Sequence, residues 1–200
     1  MLRSMPAVVP ALPPELPRDG NVLTEWIGQT PMRLFGWRIV GTPPALSKMV
    51  IVAGPHTSAW DVVIAFAGKL ALRLDVSFMA KHTLFFWPLR PLLRGFGCVP
   101  IDRSGPHNVV DQMVEQFASR EAFLLVLAPE GTRRHVDRWK SGFYHIARTA
   151  GVPIVPAAID FENRWVRFGP PVQPTGDVEA NVTELKRFIA EAHARHPELA

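Results

Sequence analysis

Short apolar runs alternate with longer stretches whose apolar residues recur every three or four positions, and this alternation constrains the fold more than any other feature. Met49-Val50-Ile51-Val52-Ala53 reads as a buried strand that stops at Gly54-Pro55. From Ala59 to Leu74, Val62, Val63, Phe66, Leu70 and Leu74 fall on a helix face. Val76–Met79 and Val99–Ile101 are short strands, 107–119 is helical, and Ala122–Leu127 is a strongly apolar strand. Gly142–Thr149 is a helix stopped by Gly151. Val152–Ile159 is a strand that Arg164–Phe168 pairs with across the turn at Glu162-Asn163. Val182, Leu185, Ile189 and Ala192 mark a final amphipathic helix. The order predicts a single α/β domain with a mostly parallel central sheet flanked by helices.

Of 200 residues, 48% are hydrophobic and 20% charged, which supplies a sizeable core and excludes wholesale disorder. Lys and Arg number 22 against 18 Asp and Glu, a net charge of +4. That positive charge is scattered and not interleaved with aromatics along the chain as a whole, so no nucleic-acid partner is expected. An anionic small molecule or an anionic membrane surface suits it better. Cys98 is the only cysteine, so an intramolecular disulfide and a cysteine-rich metal site are excluded, as in a reducing compartment. Pro6, Pro10, Pro13, Pro14 and Pro17 forbid an uninterrupted helix near the start. Residues 1–23 read as a mobile Pro-rich tail and 24–200 as the folded domain. No apolar run reaches the length of a transmembrane helix.

Two segments that follow strands carry chemistry. The first is Gly54-Pro55-His56-Thr57-Ser58-Ala59-Trp60-Asp61. Five helical steps turn about 500°, so His56 and Asp61 would point about 140° apart in one helix. They meet only if His56 stays in the loop. There a carboxylate fixes the tautomer of the imidazole and raises its basicity, giving a general base with no evident protein nucleophile. The bland reading is equally specific: Ser58 and Asp61 form a capping box that opens the helix, with His56 a mere loop residue. The second segment is Ala128-Pro129-Glu130-Gly131-Thr132-Arg133-Arg134. A tight glycine turn, a hydroxyl and a guanidinium at a strand's carboxyl end suit a phosphate, or else form a solvated turn with surface arginines.

His56–Asp61 resembles the His-four residues-Asp signature of the glycerolipid acyltransferases, the group of 1-acylglycerol-3-phosphate acyltransferase. Gly97-Cys98-Val99-Pro100-Ile101-Asp102-Arg103 resembles that family's second motif, Glu130-Gly131-Thr132-Arg133 its third, and Val152-Pro153-Ile154-Val155-Pro156 its fourth. Lys81 and Lys140 also sit where the family has lysines, and the blocks span about residues 37–172 in the right order. Departures occur at Pro100 and Ala128, where aromatics are commoner, and at Arg134-His135, where a serine is commoner. They touch the walls of the acceptor pocket.

The resemblance implies a glycerol-3-phosphate acyltransferase-like fold and O-acyl transfer from a thioester to a hydroxyl of a lysophospholipid such as 1-acylglycerol-3-phosphate. His56 would act as base, oriented by Asp61. Lys81, Arg103, Glu130, Gly131, Thr132 and Arg133 would bind the acceptor headgroup. No metal and no cofactor is implied, only acyl-CoA or acyl carrier protein as co-substrate. Two other readings keep the fold: a thioesterase, and a non-catalytic lipid- or phosphate-binding protein. The segments 26–38 and 84–96 mix aromatics with arginines in a way that fits a headgroup boundary or, alternatively, packing on the sheet. Peripheral binding at the inner face of the membrane, from the cytoplasm, is the expectation.

Overall fold

The computed structural model describes residues 8–102, 109–132, 136 and 138–199. Among the described residues seven strands form one sheet: β1 (Arg38–Val40), β2 (Lys48–Gly54), β3 (Val76–Lys81), β4 (Cys98–Ile101), β5 (Phe123–Leu127), β6 (Ile154–Asp160) and β7 (Trp165–Phe168). Their spatial order is β1-β7-β6-β2-β5-β3-β4. All pairings are parallel except β6–β7, the hairpin expected across Glu162-Asn163. The helices are α1 (Val22–Leu34), α2 (Ala59–Leu72), α3 (Leu89–Gly95), α4 (Val109–Ser119), α5 (Gly142–Ala150) and α6 (Val178–Ile189). The α/β class and mostly parallel sheet agree with the sequence.

Strand residues alternate between two cores, as the two-residue repeat of a strand demands. Met49, Ile51, Leu124, Ala157 and Ile159 face Met32 of α1 and Ile64 and Leu72 of α2. Val50, Val52, Leu125 and Ile154 face Met113 and Phe117 of α4, Phe143 and Ile146 of α5, and Leu185 of α6. The helix face follows from the crossover direction. The chain passes from β2 to β3 by α2 on one face, then runs back from β4 through β5 to β6 by α4 and α5 on the other. One hand of crossover therefore covers both faces of the sheet. α3 joins the α2 side, where Phe96 at its end meets Phe66 of α2 with ring centroids 5.1 Å apart.

α1 and β1 were not foreseen as elements. Pro31 and a buried face of Gly28, Gln29 and Met32, with one large apolar residue, obscure the helix, whose start is fixed by a capping box between Asn21 and Thr24. α1 crosses α2 at Gly28, where a Cβ would lie 2.3 Å from the Ala71 backbone nitrogen. Of the 26–38 segment, Met32 and Trp37 enter the core while Trp26, Leu34 and Phe35 stay exposed, so the packing reading holds for part of it. The tail expectation needs correction over its described part. The prolines do keep residues 8–19 out of helix, but the segment lies on the domain instead of moving free of it. Leu16 is 1% exposed, Val8 accepts from the Ile39 amide at 2.8 Å, and Pro17 accepts from the Asp75 amide at 2.9 Å. Apolar burial holds it there, because Val8 and Leu16 join the α2-side core.

Beyond α6 the chain turns back over the sheet edge as a strap, residues 190–199, and Ala192 lies in it and not in the helix. Its anchor is Asp160, fully buried at the end of β6. Asp160 accepts from the Asn163 amide at 2.6 Å and from the His193 ring Nδ1 at 2.9 Å and backbone amide at 3.2 Å. Burial alone would raise the Asp160 carboxyl, but the bonds from Asn163 and His193 together hold it below its ordinary value. The Asp160 hydrogen bond, joined by Glu162, raises His193 above its own.

Replacing Gly28 by Val should prise α1 from α2 and cost about 1–3 kcal/mol, read by thermal unfolding. Asp160→Asn should cost about 2–3 kcal/mol and lower Tm by roughly 4–12 °C. Because the Asp160 pKa is lowered, its contribution is present above the unfolded carboxylate value and is lost as pH falls through the folded one. Because that of His193 is raised, its contribution is full below the unfolded histidine value and is lost as pH rises through the folded one. The Tm gap between wild type and Asp160→Asn should therefore be widest between these limits and shrink on both sides; a gap flat with pH would refute the charged lock.

Candidate active site

The sheet topology picks out one crevice. β6, β2, β5, β3 and β4 are mutually parallel neighbours, so their carboxyl ends share an edge. α2 leaves β2 on one face and α5 leaves β5 on the other. In such open sheets ligands bind where the connections part in this way. Neighbouring strands lie about 4.8 Å apart. The groups that follow β2, β5, β3 and β4 thus line up within about 15 Å. They are His56, Glu130, Lys81 and Asp102.

His56 lies in the loop between β2 and α2, as the five-residue spacing requires. Its Nδ1 is 3.1 Å from Oδ2 of Asp61, which is 3% exposed. The same Oδ2 accepts from the Ser58 amide at 2.7 Å, and the Ser58 hydroxyl accepts from the Trp60 amide at 3.1 Å. The capping box and the imidazole–carboxylate pair are therefore both present, and they share an oxygen. Asp61 Oδ1 is buried with no hydrogen-bond partner among the described residues. His56 and Asp61 line a cavity of about 240 Å³ whose other walls are mostly apolar. Phe78, Val126 and Ile159 in those walls also border a second, apolar slot that runs between α2 and the sheet toward Leu72 and Leu74.

Glu130 stands behind His56. Its Oε1 accepts from the His56 amide at 3.3 Å, and Oε2 is buried with no hydrogen-bond partner among the described residues. Burial raises the Glu130 carboxyl above its ordinary value, against the opposing pull of its own amide and that of His56. This bond to the His56 backbone was not legible in the sequence. Gly131 has φ +65°, and a Cβ there would fall 2.8 Å from Nζ of Lys140. Glycine adopts this left-handed turn without strain, and the flexible Lys140 side chain lies beside it. Thr132 follows, half-buried. Lys81 is exposed at the end of β3, in register with Ile101 of β4, and Asp102 comes next, 3.5 Å from His82. His56, Asp61 and Glu130 are thus brought together, with Gly131, Thr132 and Lys81 along the same edge. Arg103 and Arg133 lie outside the described residues.

The strap also reaches this loop. The His196 amide donates to the Thr57 hydroxyl at 3.3 Å. The Arg195 guanidinium lies 5.1 Å from the Trp60 ring centroid and 5.7 Å from that of Phe161. Two of the four residues between His56 and Asp61 are therefore held from a segment more than 130 residues away, with no local signal to announce it.

A family model described as acyltransferase matches residues 38–160, from β1 through β6. The 1-acyl-sn-glycerol-3-phosphate acyltransferase of Haemophilus influenzae is 25% identical over 194 residues, covering 86% of this chain and 79% of that one. A probable 1-acyl-sn-glycerol-3-phosphate acyltransferase of Mycoplasma pneumoniae is 32% identical over 127 residues, 60% of this chain and 48% of that protein. The crystal structure of the 1-acyl-sn-glycerophosphate acyltransferase PlsC from Thermotoga maritima has the same fold, with a TM-score of 0.63 at 20% identity over 84% of this chain and 78% of that one. The matched span contains the β2–α2 loop with His56 and Asp61 and the turn after β5 with Glu130, and the chain belongs to the acyltransferase family.

Proposed function

We propose that the protein transfers a fatty acyl group from a thioester of coenzyme A or acyl carrier protein to the free hydroxyl of a lysophospholipid, 1-acylglycerol-3-phosphate in the first instance. The observation that carries this reading is the 3.1 Å contact between His56 Nδ1 and Asp61 at the wall of the crevice. With Nδ1 engaged, Nε2 is the nitrogen left for the acceptor. It takes the hydroxyl proton as the alcohol oxygen attacks the thioester carbonyl, and Asp61 stabilises the imidazolium. The tetrahedral adduct then expels the thiolate, which takes that proton from His56. The products are the ester and a free thiol. No covalent protein intermediate is formed.

Support for the substrate class comes from the activities of the relatives and from the cations along the crevice. Lys81 and Lys140 stand at its edge. In the family's motifs Arg103 and Arg133 hold the anionic headgroup with Thr132 and Gly131. Glu130 acts on the base rather than on the anion in this reading, since it fixes the backbone of His56.

Access to a lipid comes from the α2 side of the sheet. Among the described residues no helix is long and apolar enough to cross a membrane. Instead Trp26, Leu34 and Phe35 of the α1 segment and Phe86, Trp87 and Leu92 around α3 are exposed, Trp87 by 85%. Arg90 and Arg94 accompany the second group. Apolar side chains entering the headgroup region beside cations give peripheral adsorption to an anionic surface.

His56→Ala should lower acyl transfer to lysophosphatidic acid about 10²–10⁴-fold with the fold intact by circular dichroism. Asp61→Asn should lower it as well while also loosening the start of α2. A labelled acyl thioester should give acylated lipid when the acceptor is present. Free fatty acid alone would make water the acceptor, and no turnover would leave a binding protein. Arg90→Glu with Arg94→Glu should release the protein from phosphatidylglycerol vesicles in a flotation assay. Unchanged flotation would remove α3 from the membrane surface.

A further inference from the structure

α2 has a second flank. Opposite the His56 crevice, a cavity of about 420 Å³ opens between the ends of α1 and α2 and the β6–β7 turn. Its walls include the rings of Phe35, Trp37, Trp60 and Phe161, and two guanidiniums border it, Arg164 and Arg195. Arg164 is steadied by its Nη1 bond to the Phe35 carbonyl at 3.0 Å, and Arg195 by its stacking over Trp60 and Phe161. Three other arginines find carboxylates: Arg73 pairs with Glu25, Arg138 with Glu179 and Arg167 with Glu191. Among the described residues no carboxylate pairs with Arg164 or Arg195, and none lines the cavity.

Two held but unneutralised guanidiniums beside four aromatic rings define what can fill the space. Inorganic phosphate would satisfy the charges and leave the rings wet. A neutral hydrocarbon would cover the rings and leave both cations unmatched. An anion joined to an apolar body satisfies both, and the planar fork of arginine suits phosphate oxygens. The source is fixed by the surroundings: Leu34 and Phe35, 77% and 66% exposed, stand at the end of α1 beside the opening, on the side of the sheet that carries the other exposed apolar groups. We propose that this cavity seats an anionic membrane phospholipid, its phosphate between Arg164 and Arg195 and its chain against Trp37, Trp60 and Phe161. The seat is separate from the crevice at His56, which lies across α2, and its occupancy does not depend on the reaction assigned there.

The test reads binding, not turnover. The protein is labelled with 5-fluorotryptophan, and the Trp37 and Trp60 resonances are assigned with Trp37→Phe and Trp60→Phe. It is then titrated with dihexanoylphosphatidylglycerol below its micellar concentration, a diacyl lipid that offers no acceptor position on its glycerol backbone. The Trp37 and Trp60 signals should shift saturably, and dihexanoylphosphatidylcholine should bind at least about tenfold more weakly. Arg164→Gln and Arg195→Gln, both at exposed positions, should each weaken binding by about tenfold or more. Ala67→Leu, which keeps both charges and narrows the cavity, should weaken both lipids. Equal affinity for the two headgroups, indifference to both arginine changes, or shifts confined to Trp26 or Trp87 would overturn the proposal. Because no product is measured, this result stands or falls apart from the His56 assignment.

Discussion

One carboxylate oxygen joins the start of α2 to the imidazole of His56. Asp61 Oδ2 receives both the Ser58 amide and the His56 ring. The bond that opens the helix therefore also sets the position of the ring, and neither can be moved alone. Burial of Asp61 strengthens both bonds, because the interior screens charge less than water does. Glu130 completes the arrangement by holding the backbone amide of His56 from the neighbouring strand. A flexible loop residue thus acquires three points of support: a helix start, a ring partner and an adjacent strand end.

The location of that loop follows from the sheet. β2 sits between β6 and β5 with helices leaving to opposite faces, so its carboxyl end borders the one crevice that this strand order creates. The alternation of strand side chains feeds two cores at once. α2 closes the first and thereby forms a wall of the crevice, with Asp61, Val62 and Ala65 turned toward it. The opposite flank of the same helix presents Trp60, Val63 and Ala67 to the cavity beside α1. One helix divides two chemically different spaces.

Much of this was legible in the chain. β2, β5 and β6 are buried on both faces and so read as continuous apolar runs, and α2 has its periodic face. The spacing of His56 and Asp61 correctly required a loop position for the histidine. The capping box and the imidazole–carboxylate contact turned out to coexist, because one oxygen serves both, which spacing alone does not reveal. α1 was missed because its packing rests on a glycine contact and not on an apolar stripe. The Pro-rich segment was correctly read as non-helical, but nothing in its pattern told that Val8 and Leu16 would find the core. The strap was illegible for a similar reason: His193, Arg195 and His196 have no periodicity, and their partners are Asp160, Trp60 and Thr57.

That long-range bracing bears on how the protein comes into being. Thr57 leaves the ribosome 139 residues ahead of the amide that will bond its hydroxyl. A nascent chain that has already exposed His56 and Asp61 still lacks the brace across them, and gains it only when residues 193–196 have cleared the exit tunnel and found the sheet edge. Vectorial synthesis thus separates the loop from its brace by the time needed to make and extrude the 139 residues between them.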